Sequence, residues 1–278
     1  MAASSLSRGG GCRGYCVGVT YTQRYVALGD SFTEGVGDWD PASPNGVRGW
    51  ADRVAEQLVL ADGSWGYANL AIRGKKMRQI LDEQVDAALA LEPTLVTVYA
   101  GANDLLRPRV DIDLLMSGYD DGVGRLRAAG AAVVLFTGFD ASGSAVFGKT
   151  RGRTAVYNEW VREIADRHEA TIVDYWRLRE FRDWGYWDVD RMHMSVAGHT
   201  LMAARVLEAL KASHRIDLPE LETRPALNRV GQLRADAQWA REYLTPWVGR
   251  RLRGVSSGDD LAPKYPALGR PHRASVSA

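Results

Sequence analysis

Five short apolar runs alternate with amphipathic stretches between residues 25 and 210, and this alternation narrows the fold more than any other feature of the chain. The runs are Tyr25-Val26-Ala27-Leu28, the stretch 67–71, Thr94-Leu95-Val96-Thr97-Val98-Tyr99, Ala132-Val133-Val134-Leu135-Phe136 and Thr171-Ile172-Val173-Asp174. Each is short and almost wholly apolar, which reads as a strand covered on both faces. Between them apolar residues recur at helical spacing: Trp50, Val54 and Leu58; Met77, Leu81, Val85 and Ala88; Ile112, Leu115, Tyr119, Val123 and Leu126; Tyr157, Trp160, Val161 and Ile164. A last helix carries Ala203, Val206, Leu207 and Leu210, with Ser195 as its N-cap. Strands alternating with helices predict a three-layer α/β/α fold around a five-stranded parallel sheet.

The length of 278 residues suits one α/β domain with appendages. We expect an N-terminal arm without fixed structure over 1–21, the α/β domain over 22–214, a helical extension over 215–253, and a Ser-, Gly- and Pro-rich tail without fixed structure over 254–278. Within the extension, Leu233, Ala237, Ala240 and Leu244 mark one more amphipathic helix, which Pro246 ends or kinks. The formal net charge of +1 argues against a nucleic-acid partner, whose phosphates must be neutralised. Cys12 and Cys16 are the only cysteines, so neither a disulfide framework nor a four-ligand cysteine site is expected. No stretch is long enough to span a membrane. Nor does the N-terminus carry the apolar core of about 7–15 residues that a secretory signal needs, which points to the cytoplasm.

In such a fold, sites lie beyond the carboxyl ends of the strands. Three short words fall there: Gly29-Asp30-Ser31 after the first strand, Asn69-Leu70-Ala71-Ile72-Arg73-Gly74 after the second, and Gly101-Ala102-Asn103-Asp104 after the third. A fourth, Asp190-Arg191-Met192-His193, lies in the loop before the last helix of the domain. Singly each is ordinary, since Ser31 also reads as a helix cap, Asn103 as a turn residue and His193 as a surface histidine. Together they supply a hydroxyl nucleophile, an imidazole base, a carboxylate to orient it (Asp188 or Asp190), and amide donors for an oxyanion. Gly74 lets the chain turn so that its N–H faces the nucleophile, and the Asn103 side chain can donate as well.

The four words, in this order, resemble the SGNH/GDSL hydrolase superfamily over about residues 24–212. The run Pro-Trp-Val-Gly-Arg-Arg-Leu-Arg at 246–253 is similar to extensions on its actinobacterial members. The resemblance implies a flavodoxin-like strand order and a serine esterase or lipase. Ser31 would be the nucleophile, His193 the base and Asp190 its partner, because Asp-x-x-His is the family spacing. The backbone N–H groups of Ser31 and Gly74 and the Asn103 amide would form the oxyanion hole. It implies a small ester substrate and neither a metal nor an organic cofactor. Arg73 departs from the family pattern, standing where a small residue is common, so it either offers charge to an anionic substrate group or faces solvent. Trp39, Trp184 and Trp187 flank the words and either wall a substrate pocket or belong to core and rim. An acyltransferase, a carbohydrate or lipid acetylesterase, and a silent binding domain remain open with the same residues. Oligomeric state is not readable.

Overall fold

The computed structural model describes residues 20–144, 147–221 and 228–272. The expected arm over 1–21, with Cys12 and Cys16, lies outside these residues except for positions 20 and 21, as do 273–278 of the expected tail. Strands β1 (Gln23–Gly29), β2 (Trp65–Asn69), β3 (Leu95–Tyr99), β4 (Ala132–Phe136) and β5 (Thr171–Val173) are parallel, in the order β5-β4-β3-β1-β2. This is the flavodoxin-like order that the resemblance implies.

A sixth strand, β6 (Tyr265–Gly269), pairs antiparallel with β2 at the sheet edge. Two expectations are thereby corrected: the sheet has six strands among the described residues, not five, and 254–272 is not structureless. The physical reason is the edge itself. β2 would otherwise present a row of unpaired backbone groups, and β6 covers them. Its sequence, Tyr-Pro-Ala-Leu-Gly, hides the strand because proline is tolerated only at such an edge.

Side chains of successive strand residues point to opposite faces, so each strand feeds two cores. On one face Val26, Leu28, Val96, Val98, Val133 and Leu135 meet helices α3 (Met77–Ala90), α5 (Ile112–Ala128) and α6 (Arg151–Arg167). On the other, Tyr25, Ala27, Tyr67, Tyr99, Val134 and Phe136 meet α2 (Trp50–Ala61) and α7 (Val196–Ala209). Two single-turn helices, α1 (Ser31–Glu34) and α4 (Ala102–Leu105), follow β1 and β3 directly. The chain leaves β1 for β2 on one side and later reaches β3 on the other. The crevice between the ends of β1 and β3 is therefore where a ligand fits.

Beyond the sandwich, α8 (Arg229–Trp239) runs through a π-helical turn, Ala240–Leu244, into α9 (Thr245–Leu252). Pro246 lacks an N–H and crowds the carbonyl one turn earlier, and a widened turn just before it accommodates both defects. The apolar stripe does not make up its buried face: Leu233 and Ala237 are exposed, and Ala240 and Leu244 are only partly buried. Leu233 is 69% exposed, whereas Trp239 is 9% exposed and turned to the domain. Hydrogen bonding and stacking by Asp236 and Trp239 outweigh the apolar stripe. Among the described residues no helix is long and apolar enough to cross a membrane.

Candidate active site

Ser31 opens α1 because the preceding Asp30 caps it: Asp30 Oδ1 accepts from the Phe32 N–H at 3.1 Å. Gly29 makes that tight exit from β1 possible. Its φ is +152°, and a Cβ there would lie 2.6 Å from the Tyr99 carbonyl oxygen. Gln84 of α3 reaches across to satisfy both sides of Gly29, accepting from its N–H at 2.9 Å and donating to its carbonyl at 3.0 Å.

His193, 162 residues away in the chain, brings Nε2 to 3.1 Å from Ser31 Oγ. Its Nδ1 lies 2.6 Å from Asp190 Oδ2. Asp190 Oδ1 accepts from the N–H groups of Met192 and His193 at 2.8 and 2.9 Å, so the carboxylate is held by its own turn. Burial would raise the Asp190 pKa, but the His193 hydrogen bond and charge and these two N–H groups hold it below the usual carboxylate range. Burial would likewise depress His193. The hydrogen bond and charge of Asp190, joined by Asp30 and Asp188, raise it above its ordinary value instead. Asp188 faces elsewhere and accepts from Trp39 Nε1 at 3.3 Å.

Asn103 follows β3 on α4, and its Nδ2 donates to Asp30 Oδ2 at 3.0 Å and to the Lys75 carbonyl at 3.1 Å. It therefore ties the Ser31 turn to the Gly74 turn. Burial pushes the Asp30 carboxyl up to about 7, against the Phe32 N–H and the His193 charge. Gly74 has φ +80° in the turn after β2. Among the described residues nothing accepts a hydrogen bond from the N–H of Ser31 or of Gly74.

Arg73 matches neither expectation. Its Nε and Nη2 grip the carboxylate of Glu34 at 2.9 and 2.7 Å, and its backbone N–H donates to the same group at 2.7 Å. Glu34 is fully buried at the end of α1, so an uncompensated charge there would be expensive, and Arg73 neutralises it. The pair joins the Ser31 helix to the Gly74 turn.

Two cavities meet at Ser31 and His193. The inner one, about 140 Å³, is apolar, with Leu105, Leu106, Phe139, Phe147, Trp187 and Trp247 in its wall. The outer cleft, about 640 Å³, runs over Gly74, Lys75 and Lys76 and is bounded by Trp39, Tyr243 and Ser256. The three flanking tryptophans thus separate. Trp187 walls the inner cavity, Trp39 rims the cleft, and the half-exposed Trp184 lies near the Arg191 guanidinium. Trp247, from the run at 246–253, lines both.

The extension also grips the loop that carries Asp190 and His193. Trp239 Nε1 donates to the Asp190 carbonyl at 2.8 Å. Arg191, held at φ +55°, pairs with Asp236 at 2.7 Å and stacks on Trp239. From the far side, Lys264 Nζ reaches Asp52 at 2.7 Å. Tyr67 donates to Asp52 at 2.7 Å, and Asn69 donates to both Tyr67 and the Thr33 carbonyl of α1. Glu34, Gln84, Trp239, Ser256 and Lys264 carry no local signal that could have singled them out, because each acts on a residue distant in the chain. Among the described residues no group of three or more His, Cys, Asp or Glu is placed to hold a metal ion.

Residues 27–201 match the family model of the GDSL-like Lipase/Acylhydrolase family. The structure of LAE5, an alpha/beta hydrolase enzyme from the metagenome of Lake Arreo, Spain, is similar with a TM-score of 0.57 at 21% identity, covering 69% of this chain and 96% of that one. Axe2, an acetylxylan esterase from Geobacillus stearothermophilus, gives 0.57 at 20% identity over 70% of this chain and 97% of its own. EstA, a psychrotrophic esterase from Pseudoalteromonas sp., gives 0.54 at 20% identity over 68% and 97%. These three share the fold. A search of curated proteins found no match. The family match ends at residue 201, so α8, α9 and β6 lie beyond it.

Proposed function

The chain belongs to the GDSL-like lipase/acylhydrolase family, a family of ester hydrolases, and from that premise we propose that it hydrolyses small carboxylic esters through an acyl-enzyme on Ser31. The observation that carries this reading is the unbroken relay from Ser31 Oγ to His193 Nε2 at 3.1 Å and from His193 Nδ1 to Asp190 at 2.6 Å.

His193 takes the hydroxyl proton as Ser31 Oγ attacks the ester carbonyl carbon, and Asp190 stabilises the imidazolium that forms. The oxyanion of the tetrahedral intermediate meets the N–H groups of Ser31 and Gly74. Asn103 joins as a third donor when one of its hydrogens leaves the Lys75 carbonyl. Collapse breaks the bond to the alkoxy oxygen, which takes the proton from His193 and leaves as the alcohol. Water then repeats the sequence on the acyl-enzyme, releasing the acid and restoring Ser31. The inner cavity of about 140 Å³ suits an acyl group no larger than about a benzene ring. The outer cleft takes the alcohol side.

The test is hydrolysis of p-nitrophenyl butyrate and labelling by a fluorophosphonate probe. Ser31→Ala is expected to lose turnover by at least about 10³-fold and to lose labelling while keeping the native melting profile. Turnover retained in this variant overturns the proposal.

A further inference from the structure

We propose that Ser256, from the segment beyond α9, is a positioning residue that holds the Arg73–Gly74 peptide with its N–H turned toward the Ser31 side. This rests on the reading above, in which that N–H is an oxyanion donor.

The argument begins with the turn. Lys75 N–H donates to the Ile72 carbonyl at 3.4 Å, so Arg73 and Gly74 are the two central residues of a four-residue turn. The φ of +80° at Gly74 is the value a type II turn requires at its second central residue. Type I and type II turns differ mainly by a flip of the central peptide, which here is the Arg73–Gly74 unit. Glycine permits both, because it has no Cβ to forbid either. The flipped state would exchange the N–H for the Arg73 carbonyl oxygen, placing negative charge where an oxyanion must form. Something other than Gly74 has to select between them.

Ser256 does so through the other end of the same peptide. Its Oγ lies 3.1 Å from the Arg73 carbonyl oxygen. The Gly258 N–H donates to that Oγ at 3.1 Å, so the one hydroxyl proton is free to go to Arg73. In a trans peptide the C=O and N–H point in opposite directions, so holding the Arg73 oxygen at Ser256 fixes the direction of the Gly74 N–H. The bond also polarises the peptide, which strengthens that N–H as a donor. Ser256 is itself held, because its N–H donates to Asp259 Oδ2 at 2.7 Å. The fit is close on both sides: a Cβ on Gly74 would fall 1.9 Å from Ser256 Oγ, and one on Gly258 would fall 2.2 Å from the Arg73 oxygen. Glu34, which accepts from the Arg73 N–H at 2.7 Å, fixes only the preceding peptide.

The test compares Ser256→Ala and Ser256→Thr with the native protein, at a temperature where all three are folded. Ester hydrolysis is measured as kcat and KM, and binding of a boronic acid that forms a tetrahedral adduct on serine is measured alongside. Ser256→Ala is expected to lower kcat by on the order of tenfold, less than loss of a whole donor, which costs about 10²–10³. KM should hold while boronate affinity falls by a similar factor, and Ser256→Thr should restore both. An unchanged kcat, or a fall in kcat without a fall in boronate affinity, overturns the proposal. The reading it rests on fails separately, if Ser31→Ala stays active.

Discussion

The α/β sandwich and the segment 228–272 that packs beside its candidate site are built on different principles. Strands β1 to β5 and their helices are held by two cores in which Val26, Ala27 and Leu28, among many others, are fully buried. Burial of that kind is non-directional and tolerates exchange of one apolar residue for another of similar volume. The wrapping segment has little core of its own: Val230, Leu233 and Leu252 are exposed. It is attached by a few directional contacts, namely Trp239 on the Asp190 carbonyl, Asp236 on Arg191, Ser256 on Arg73 and Lys264 on Asp52. The lesson is that a peripheral segment with little core of its own can still be fixed in place, provided each attachment lands on a defined backbone group or charge of the domain.

The largest effect is expected inside the sandwich. Asp190→Asn should cut kcat by about 10⁴-fold, because the amide disfavours the His193 tautomer that accepts from Ser31. Asp188→Asn, which touches Trp39 rather than the ring, should cost far less. Equal losses in the two variants would mean that the orienting carboxylate is misassigned. The pH profile follows from the same pair. The base proposed at His193 must be neutral, so activity is expected to fall as pH drops through its raised pKa, above the ordinary histidine value. Removing the Asp190 charge lowers that pKa and moves the acid limb of kcat/KM to lower pH.

The next effect tests the wrap and reads as stability. Lys264 and Asp52 are both buried, and burial raises the Asp52 pKa while the Lys264 charge opposes it. Lys264→Met strands a buried carboxylate and should cost about 3–5 kcal/mol in chemical denaturation. Adding Asp52→Asn should recover part of the loss, because the stranded charge is gone. If Lys264→Met is neutral, the segment is only laid against the domain. The smallest effect is Trp239→Phe, which keeps a ring beside Arg191 but removes the donor to Asp190. A hydrogen bond of about 1 kcal/mol corresponds to a roughly fivefold fall in kcat, to be read at saturating substrate.

Much of the candidate site is legible in the sequence because most of its residues sit in local words at strand ends. Ser31, Gly74, Asn103 and His193 could be placed on one rim once the strands were counted. Arg73 departs from both expectations because its partner Glu34 lies 39 residues away in the chain. The tail departs from its expectation because Ser-, Gly- and Pro-rich composition describes a chain with no partner, whereas β6 finds one in the β2 edge. The stripe through Leu233 signals a helix but not which side it buries, since Asp236 and Trp239 make contacts that periodicity does not record.

Sequence alone determined the parallel sheet, the order of its strands through the family resemblance, and which side chains can attack, accept a proton or turn the chain. These follow from properties a residue carries with it: side-chain volume, spacing along a helix or strand, and functional group. Tertiary structure alone decided that Asp188 turns to Trp39, that Arg73 neutralises a buried acid, and that the last described strand pairs with the β2 edge. Each of these depends on a distance between groups far apart in the chain, and such a distance exists only after the two cores have formed and brought them together.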